Sequence, residues 1–521
     1  AGPATTPRPA AVPIHAIPDA RSREGVASAT TAEADTTIAE LVGALDLEAK
    51  VRLVSGATIW TTAALQEIGL RAMTVSDGPV GVRGPNFAEN EHSANLPSPS
   101  ALAASWDDAL LRRVGQALAA EAVRHGVQVV LGPTINLHRS PLGGRHFECF
   151  SEDPFLTGRL ATAYVLGLQE EGVGACPKHY VANDAETDRT TVDNRVDEKT
   201  LRELYLAPFE HVVADASPWM LMAAYNGVNG APMSENDLLG EPLKGEWGWD
   251  GAVVSDWGGV YGTTASAAAA IDLAMPGPEA HWSGKLLEAV RTGDVDESAV
   301  DEKVARLLRL ASRVGALRNE VPTARPASTA ADCAPLAREA AVAGSVLLRN
   351  EDGLLPLSAS SLRRIALIGP SALEPRPQGG GSAMVFPPYV VTPQAGLTRA
   401  LGDDVEIVTA VGAPLRSALR APHDEELDGL QLRWYGPDGS LLSTDQPATT
   451  RLFRSYASVQ PGSTSLELVG RFVASSTGEW RLGFSGVGTF ELELDGEAVL
   501  KESVVRDRMD MEAIAVNPPQ S

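Results

Sequence analysis

The sequence has few cysteines, few basic residues and no long apolar run, and each deficit argues against a class of protein. Three cysteines in 521 residues, Cys149, Cys176 and Cys333, are too few for a disulfide scaffold and too scattered for a zinc site. With 43 Lys and Arg against 67 Asp and Glu, the formal charge of −24 argues against nucleic acid and anionic membranes as partners, because both require positive fields. No apolar stretch reaches the roughly 18 residues of a membrane span. The composition favours a neutral or cationic small molecule as the ligand.

The composition of the first residues indicates a flexible segment. They begin AGPATTPRPAAVP, which is rich in Ala, Pro and Thr and has no initiating Met. Such a composition is typical of the flexible start of a mature secreted chain. Arg outnumbers Lys and Ala is abundant, which suggests a high-GC bacterial genome. We therefore expect a flexible segment over residues 1–36 and a secreted bacterial protein.

Residues 37–320 alternate short apolar runs with long helical patterns, which is the signature of repeated βα units and a parallel sheet. The length of this region favours a (β/α)8-type barrel, with a partial or irregular barrel as the open alternative. The predicted strands are Ala72–Ser76, Val127–Leu131, Val173–Cys176, Met220–Ala224 and Ala252–Ser255, and the predicted helices are Asp107–His125, Pro154–Glu171 and Glu198–Asp215.

Polar residues follow the predicted strands at the ends where a barrel presents its chemistry. Asp256 is the clearest example, because it ends the buried-type run in GAVVSDWGG. Its alternative role is to cap the next helix together with Ser255. The other strand-end and loop residues are Asp77, Arg139, Arg145, Lys178, His179, Tyr225 and Asn226. In a barrel these side chains surround one pocket, and this convergence favours a catalytic role for Asp256.

Two further regions follow a Pro-, Ala- and Thr-rich linker at residues 321–331. Residues 332–426 predict a second α/β domain, with a helix at Pro335–Arg349 and strands at Ile365–Ile368 and Val405–Val411. Its glycine loop, Gly379 to Ser382, lacks the Lys and the helix start of a phosphate cradle. Residues 427–521 show alternating strands with hairpin signals at Asp438-Gly439 and Asp495-Gly496, and thus predict an all-β module that is incomplete and inserted in the α/β domain.

Several segments together resemble glycoside hydrolase family 3, in particular its β-glucosidases. They are TVSDGPVGVRG, LGPTINLHRSPLGGRHFECFSEDP, PKHYVANDAETDR, AAYNGVNGAP, VVSDWGG and GSVLLRNEDGLLPL, in this order. The resemblance implies a barrel followed by an α/β sandwich domain, which an all-β PA14-like domain interrupts. Secreted actinobacterial enzymes such as macrolide β-glucosidases are the expected relatives.

Carried over by position, the resemblance implies that Asp256 is the nucleophile of a retaining hydrolase that releases terminal glucose without metal or organic cofactor. It implies that Tyr225 lies against the nucleophile and that Trp257 forms part of a sugar platform. The residues that would hold the sugar are Asp77, Arg145, Lys178, His179 and Arg189. Ser382 is a candidate to contact the site from the second domain.

The residue types suit this chemistry, although each has a structural alternative. Lys178 and Arg145 can keep nearby acids ionised and donate to hydroxyls, or they can form a salt-bridged wall. Tyr225 can instead be packed in the core with its hydroxyl satisfied. His179 is not expected to bind a metal, because no second His or Cys stands at ligand spacing.

The general acid that a retaining glycosidase needs is not identified in this sequence. The segment VANDAETDR has no His, which disfavours the β-N-acetylglucosaminidase subgroup and its phosphorylase variant. Glu351 and Glu374 do not match the family motif, and the resemblance implies that the acid lies beyond Ser521. The alternatives are a β-xylosidase or another exo-glycosidase, or a carbohydrate-binding protein without catalysis if the chain ends at Ser521.

Overall fold

The computed structural model describes residues 37–86, 91–278, 281–317, 330–413, 422, 426–447, 450, 452, 459–474, 477–486 and 488–504. The predicted flexible segment 1–36 and nearly all of the predicted linker 321–331 lie outside the described residues.

The N-terminal region contains short strands that alternate with longer helices, as the sequence predicts. Residues 37–44 are helical. The helices that follow are α1 Leu47–Val54, α2 Pro99–Ala103, α3 Asp108–Arg124, α4 Pro154–Glu170, α5 Glu198–Thr200, α6 Ala207–Ala216, α7 Thr264–Ala268, α8 Gly284–Thr292 and α9 Glu297–Arg313. The strands are β1 Val75–Asp77, β2 Val129–Leu131, β3 Gly174–Ala175, β4 Asp193–Asn194, β5 Met220–Ala223, β6 Gly227–Val228, β7 Ala231–Pro232 and β8 Ala252–Ser255.

Local sequence explains where the two longest helices of the first half begin and how closely they pack. Asp107 caps α3 by accepting a hydrogen bond from the Leu110 amide, and Asp153 caps α4 just before a proline, a residue that suits the first helical turn. At Gly115 the two helices approach so closely that a Cβ there would lie 2.4 Å from the Tyr164 carbonyl oxygen. Glycine is therefore required at this crossing.

The closed barrel that the sequence predicts is not formed by the described residues. β1, β2 and β3 form one parallel sheet, whereas β5 and β8 form a separate parallel pair. Single bridges, such as that between Tyr180 and Ala223, replace full strands between these pieces. Part of the reason is that Pro133 and Pro177 have no N–H with which to extend a ladder. The described residues therefore form the partial or irregular barrel that was the alternative prediction from the sequence.

The strands nonetheless form the centre of the apolar core. Val130, Leu221, Val253 and Val254 are completely buried. Because both faces of these strands are covered, their sequences are continuous apolar runs. This burial fixes the positions at which the polar strand ends emerge.

The second α/β region contains helices α10 Ala334–Ala343 and α11 Pro393–Leu401 and the parallel strands β9 Arg364–Ile368 and β10 Glu406–Ala410. The two strands lie within one residue of their predicted bounds. The predicted helix at Pro335–Arg349 is too long, because α10 ends at Ala343. There Gly344 approaches the carbonyl of Ala101 so closely that a Cβ would lie 2.2 Å from the oxygen. The chain turns away from the helix at this contact.

The remaining described residues form antiparallel strands, β11 Leu427–Tyr435, β12 Leu441–Asp445, β13 Ser465–Phe472, β14 Gly488–Leu494 and β15 Glu497–Val504. β11 lies between β12 and β13, and β14 pairs with β15. The predicted turns at Asp438-Gly439 and Asp495-Gly496 connect β11 to β12 and β14 to β15, with positive φ at both glycines. Period-two patterning therefore identified these hairpins.

The three cysteines are free and buried. Across the described ranges, no helix has the length and apolar character that crossing a lipid bilayer requires. In the same ranges, no group of three or more His, Cys, Asp or Glu side chains is arranged to hold a metal ion.

Candidate active site

Asp256 follows the last residue of β8 and lies at the centre of a buried polar cluster. Only 8% of the residue is exposed, and its Oδ1 accepts a hydrogen bond from the Trp257 amide at 2.8 Å. The alternative that Asp256 caps the next helix is wrong, because that helix begins at Thr264 with Thr263 at its N-cap. The carboxylate is therefore held at the strand end without serving a helix.

Asp77 and Lys178 form a buried ion pair in the same polar cluster. Asp77 is the last residue of β1, and Lys178 follows β3. Lys178 Nζ lies 2.8 Å from Asp77 Oδ1, and the two side chains are 2% and 7% exposed. Burial opposes the charge on Lys178, but Asp77 and then Glu148 outweigh it and raise the pKa of the ammonium group. The cluster thus contains a fixed positive donor next to a carboxylate acceptor.

His179 lies between Arg145 and Asp256. Its Nδ1 is 3.2 Å from the Asn136 side-chain oxygen, and its Nε2 is 3.3 Å from Arg145 Nη1. Burial, together with the charges of Arg145, Lys178 and Arg189, lowers the pKa of His179 well below its usual value. The imidazole is therefore neutral, with the proton on Nδ1 and the Nε2 lone pair facing the guanidinium. Asp256 Oδ2 lies 3.6 Å from the same Nε2.

Arg189, Tyr225 and Trp257 form the second side of the cluster. The Arg189 guanidinium carbon lies 4.9 Å from the centre of the Tyr225 ring, a cation–π distance. The Tyr225 hydroxyl donates to the Trp257 carbonyl at 2.9 Å. Tyr225 is 7% exposed, so it is both packed and adjacent to the residue that follows Asp256. The Trp257 ring contacts Trp60, with 5.1 Å between ring centroids, and its indole N–H donates to the Ile59 carbonyl.

Ser382 is connected to the site through its backbone. Its carbonyl accepts a hydrogen bond from Arg83 Nη1 at 2.8 Å, and the Arg83 amide donates to the Asp77 carbonyl at 2.9 Å. The glycine loop therefore reaches the segment that follows Asp77. In the same loop, a Cβ at Gly379 would overlap the Phe147 ring at 2.3 Å, so only glycine permits this approach.

Sequence reasoning missed several residues that support the site. Glu148 accepts from Arg145 Nε at 2.6 Å, Glu186 pairs with Arg189 at 2.7 Å, and Asn136 and Arg83 make the contacts given above. The spacing could have revealed the two glutamates, because each stands three residues from its arginine. Arg83 lies inside the segment TVSDGPVGVRG and was not singled out. Lys178 and Arg145 thus form the ion pairs of the structural alternative, with Asp77 and Glu148 respectively, and His179 connects Arg145 to Asp256.

The arrangement supplies what a polyhydroxylated ligand needs. Charged donors and acceptors alternate within one buried cluster, and charge-assisted hydrogen bonds to hydroxyl groups are about twice as strong as neutral ones. Asp256 adds a carboxylate, which is a competent nucleophile toward a carbon centre. Glu351 is not in this cluster, because it is exposed and pairs with Arg349.

The loop that carries Glu186 and Arg189 contains a carboxyl group that resists ionisation. Burial raises the pKa of Asp184 to about 6, although the Leu137 amide, which donates to Asp184 Oδ1 at 2.9 Å, favours the charged form. Because the folded-state pKa is above the unfolded one, the contribution of Asp184 to stability is present at low pH and is lost as the pH rises through about 6.

We expect Asp184→Asn to abolish this loss while keeping the oxygen that accepts from Leu137. Relative to the original protein, the variant should gain on the order of 2 kcal/mol in free energy of unfolding between pH 4 and pH 7. Chemical denaturation at a series of pH values measures the difference. Asp188→Asn, an exposed change on the same loop, is the control and should show no such gain. A pH-independent difference for Asp184→Asn would contradict the assignment.

Family models match most of the chain. The model described as the glycosyl hydrolase family 3 N terminal domain matches residues 30–310, and the corresponding C-terminal domain model matches residues 345–486. The first match contains Asp77, Lys178 and Asp256. The second contains Ser382 and extends into the antiparallel strands.

Individual proteins match over nearly the whole chain. Beta-glucosidase B of Emericella nidulans is 39% identical over 485 residues, which cover 90% of this chain and 56% of the relative. A β-glucosidase of Rhizobium radiobacter is also 39% identical, over 89% of this chain and 57% of its own length. The chain therefore spans a little over half the length of these curated relatives.

Solved structures match both in sequence and in shape. The β-glucosidase of Kluyveromyces marxianus in complex with glucose has a TM-score of 0.74 and 33% identity, and the match covers 79% of this chain and 52% of that one. DesR, a β-glucosidase of Streptomyces venezuelae in complex with D-glucose, has a TM-score of 0.68 and 32% identity, over 77% and 53% of the two chains. These neighbours share a two-domain α/β fold with the present chain.

Proposed function

The chain belongs to glycosyl hydrolase family 3, and we propose that it functions as a retaining, exo-acting β-glucosidase. The observation that carries this proposal is the position of Asp256, a carboxylate at the end of β8, 3.6 Å from a neutral His179 and enclosed by the ion pairs of the site. Matching proteins that bear the name β-glucosidase, two of them solved with glucose, support the choice of sugar.

In the proposed reaction Asp256 attacks the anomeric carbon of a terminal β-glucosyl residue. The glycosidic bond to the leaving oxygen breaks, that oxygen takes a proton from a general acid, and a glycosyl-aspartate ester forms. Water then attacks the anomeric carbon and passes a proton to the group that acted as the acid; the bond to Asp256 breaks, its carboxylate is restored, and this second inversion gives glucose with the configuration retained overall. We assign no general acid among the described residues.

Each neighbouring group has a role that its geometry supports. The Asp77–Lys178 pair offers one acceptor and one donor to adjacent sugar hydroxyls. Arg145 and the neutral His179 contact a further hydroxyl. Because the His179 imidazole carries no positive charge, it does not neutralise the negative charge of Asp256. Trp257, fixed by Trp60 and by the Ile59 carbonyl, forms one wall for the sugar ring.

Hydrolysis of aryl glycosides tests the sugar and the reaction. With 2,4-dinitrophenyl leaving groups, which depart without a proton, the first step needs no general acid, so the nucleophile is tested by itself. We expect β-glucoside to be cleaved at least about tenfold faster than β-xyloside or the N-acetylglucosaminide, since a site built around a hydroxyl rejects analogues that lack it. Equal rates on all three would overturn the choice of glucose, and glucose binding without hydrolysis would favour a non-catalytic carbohydrate-binding protein.

Two finer assignments complete the proposal. We infer that the natural substrate is a glucosylated natural product such as a macrolide, outside the cell of a bacterium; the excess of Arg over Lys and the abundance of Ala in the sequence support a bacterial source. We also infer that the region beginning at β11 is a PA14-like module. Its antiparallel pairing, in contrast to the parallel β9 and β10 before it, supports a separate β unit.

A further inference from the structure

We propose that Glu148 is a positioning residue of the sugar site, which holds the Arg145 guanidinium in the orientation that faces His179. The inference rests on the proposed function, because Arg145 matters only if it binds sugar. Glu148 ends the short 3-10 turn that follows Arg145, and 1% of the residue is exposed. A fully buried carboxylate next to a polar pocket requires partners, and those partners define its role.

The two oxygens of Glu148 connect two separate segments. Oε1 accepts from Arg145 Nε at 2.6 Å, and Oε2 accepts from the Thr134 hydroxyl at 2.8 Å. Thr134 forms a parallel bridge with Lys178, and the amide of Ile135 donates to the Lys178 carbonyl at 2.7 Å. Glu148 therefore joins the loop that carries Arg145 to the backbone that carries Lys178.

This connection determines what Arg145 can do. The guanidinium uses Nε for Glu148 and Nη1 for His179, which lies 3.3 Å away, so its plane is fixed at two points. A long side chain held in one rotamer loses little further freedom when a ligand binds. The Glu148 charge also offsets the positive charges of Arg145 and Lys178 inside a buried pocket. Without the carboxylate the guanidinium of Arg145 is no longer held at Nε. The repulsion between the positive charges of Arg145 and Lys178 is then no longer offset.

The test compares Glu148→Gln with the original protein on the 2,4-dinitrophenyl β-glucoside. Glutamine keeps the size and one acceptor oxygen but removes the charge. We expect KM to rise about tenfold with kcat changed less than about threefold, because the lost interaction is made equally in the bound and transition states. Glucose affinity, followed through the fluorescence of Trp60 and Trp257, should fall by the same factor as KM rises. Glu148→Ala should have the larger effect and raise KM by about a hundredfold relative to the original protein.

A matched control separates positioning from general stability. Glu121 is also a fully buried glutamate that pairs with an arginine three residues away, Arg124, at 2.8 Å, and it accepts from Ser93 and the Ala94 amide. Its contacts include no member of the site. Glu121→Gln should therefore lower thermal stability about as much as Glu148→Gln and leave KM unchanged.

Three results would overturn the inference. One is a folded Glu148→Gln protein with an unchanged KM and glucose affinity. Another is a KM change of equal size in Glu121→Gln, which would make the effect a consequence of stability alone. The third is an original protein that neither hydrolyses the glucoside nor binds glucose, which refutes the proposed function and removes the basis of the inference. The first two results leave the proposed function intact.

Discussion

Replacing Asp256 by Asn is expected to lower turnover of the activated β-glucoside by on the order of 10⁴-fold or more. The amide cannot ionise and therefore cannot attack the anomeric carbon. Its oxygen can still accept the hydrogen bond that the Trp257 amide donates to Asp256 Oδ1 at 2.8 Å, so the fold and glucose binding should persist. Steady-state kinetics and tryptophan fluorescence titration measure the two properties separately.

Asp250→Asn is the matched control for this change. Asp250 lies at the opposite end of β8, where its carboxylate pairs with Arg313 at 2.6 Å. The amino ends of the parallel strands face away from the candidate site, so a charge at this position serves stability and not catalysis. Asp250→Asn should therefore retain turnover. Activity near the original level in Asp256→Asn, with the control behaving as expected, would remove Asp256 from the mechanism.

Replacing Asp77 by Ala is expected to cause the second largest effect, on stability and turnover together. The change leaves the Lys178 ammonium buried without its carboxylate 2.8 Å away. Breaking a buried ion pair from one side typically costs about 3 to 5 kcal/mol. The same change removes the acceptor that we propose for sugar hydroxyls. Chemical denaturation and kinetics on the β-glucoside provide the two measurements.

The double variant Asp77→Ala with Lys178→Met separates these two consequences. Methionine fills the space of the lysine stem and carries no charge, so the double variant should recover most of the lost free energy of unfolding. It should not recover turnover, since both sugar contacts are absent. Recovery of activity together with stability would mean that the pair is only structural. Full activity in Asp77→Ala would refute its assignment to the sugar site.

The sequence was sufficient to predict which strand ends carry the site. Strands such as β8 are continuous apolar runs because they are buried on both faces, and a carboxylate directly after such a run must emerge at one edge. Asp77, Lys178 and Asp256 were therefore predicted to lie together, and the structure places Asp77 2.8 Å from Lys178 and Asp256 3.6 Å from the neighbouring His179. The helix bounds were predicted nearly as well where capping residues such as Asp107 and Asp153 mark them.

Other features depended on information that single residues do not carry. The irregular pairing near Tyr180 replaces strands by single bridges, and apolar patterning cannot distinguish the two. Ser382 acts through its carbonyl, which every residue possesses, so its side chain gave no signal for the contact with Arg83. The i,i+3 spacing of Glu148 and Arg145 indicates an ion pair but not where that pair lies, and its burial next to His179 becomes visible only in the structure.

The site is assembled from segments far apart in the chain, with 101 positions separating Asp77 from Lys178. The site therefore exists only in the native state, and the unfolded ensemble contains no site at which a sugar could bind. By mass action such a ligand raises the free energy of unfolding by about 2.7 kcal/mol at a hundred times its Kd. The melting temperature becomes a dose-dependent reporter of occupancy, which also serves variants such as Asp256→Asn that release no product.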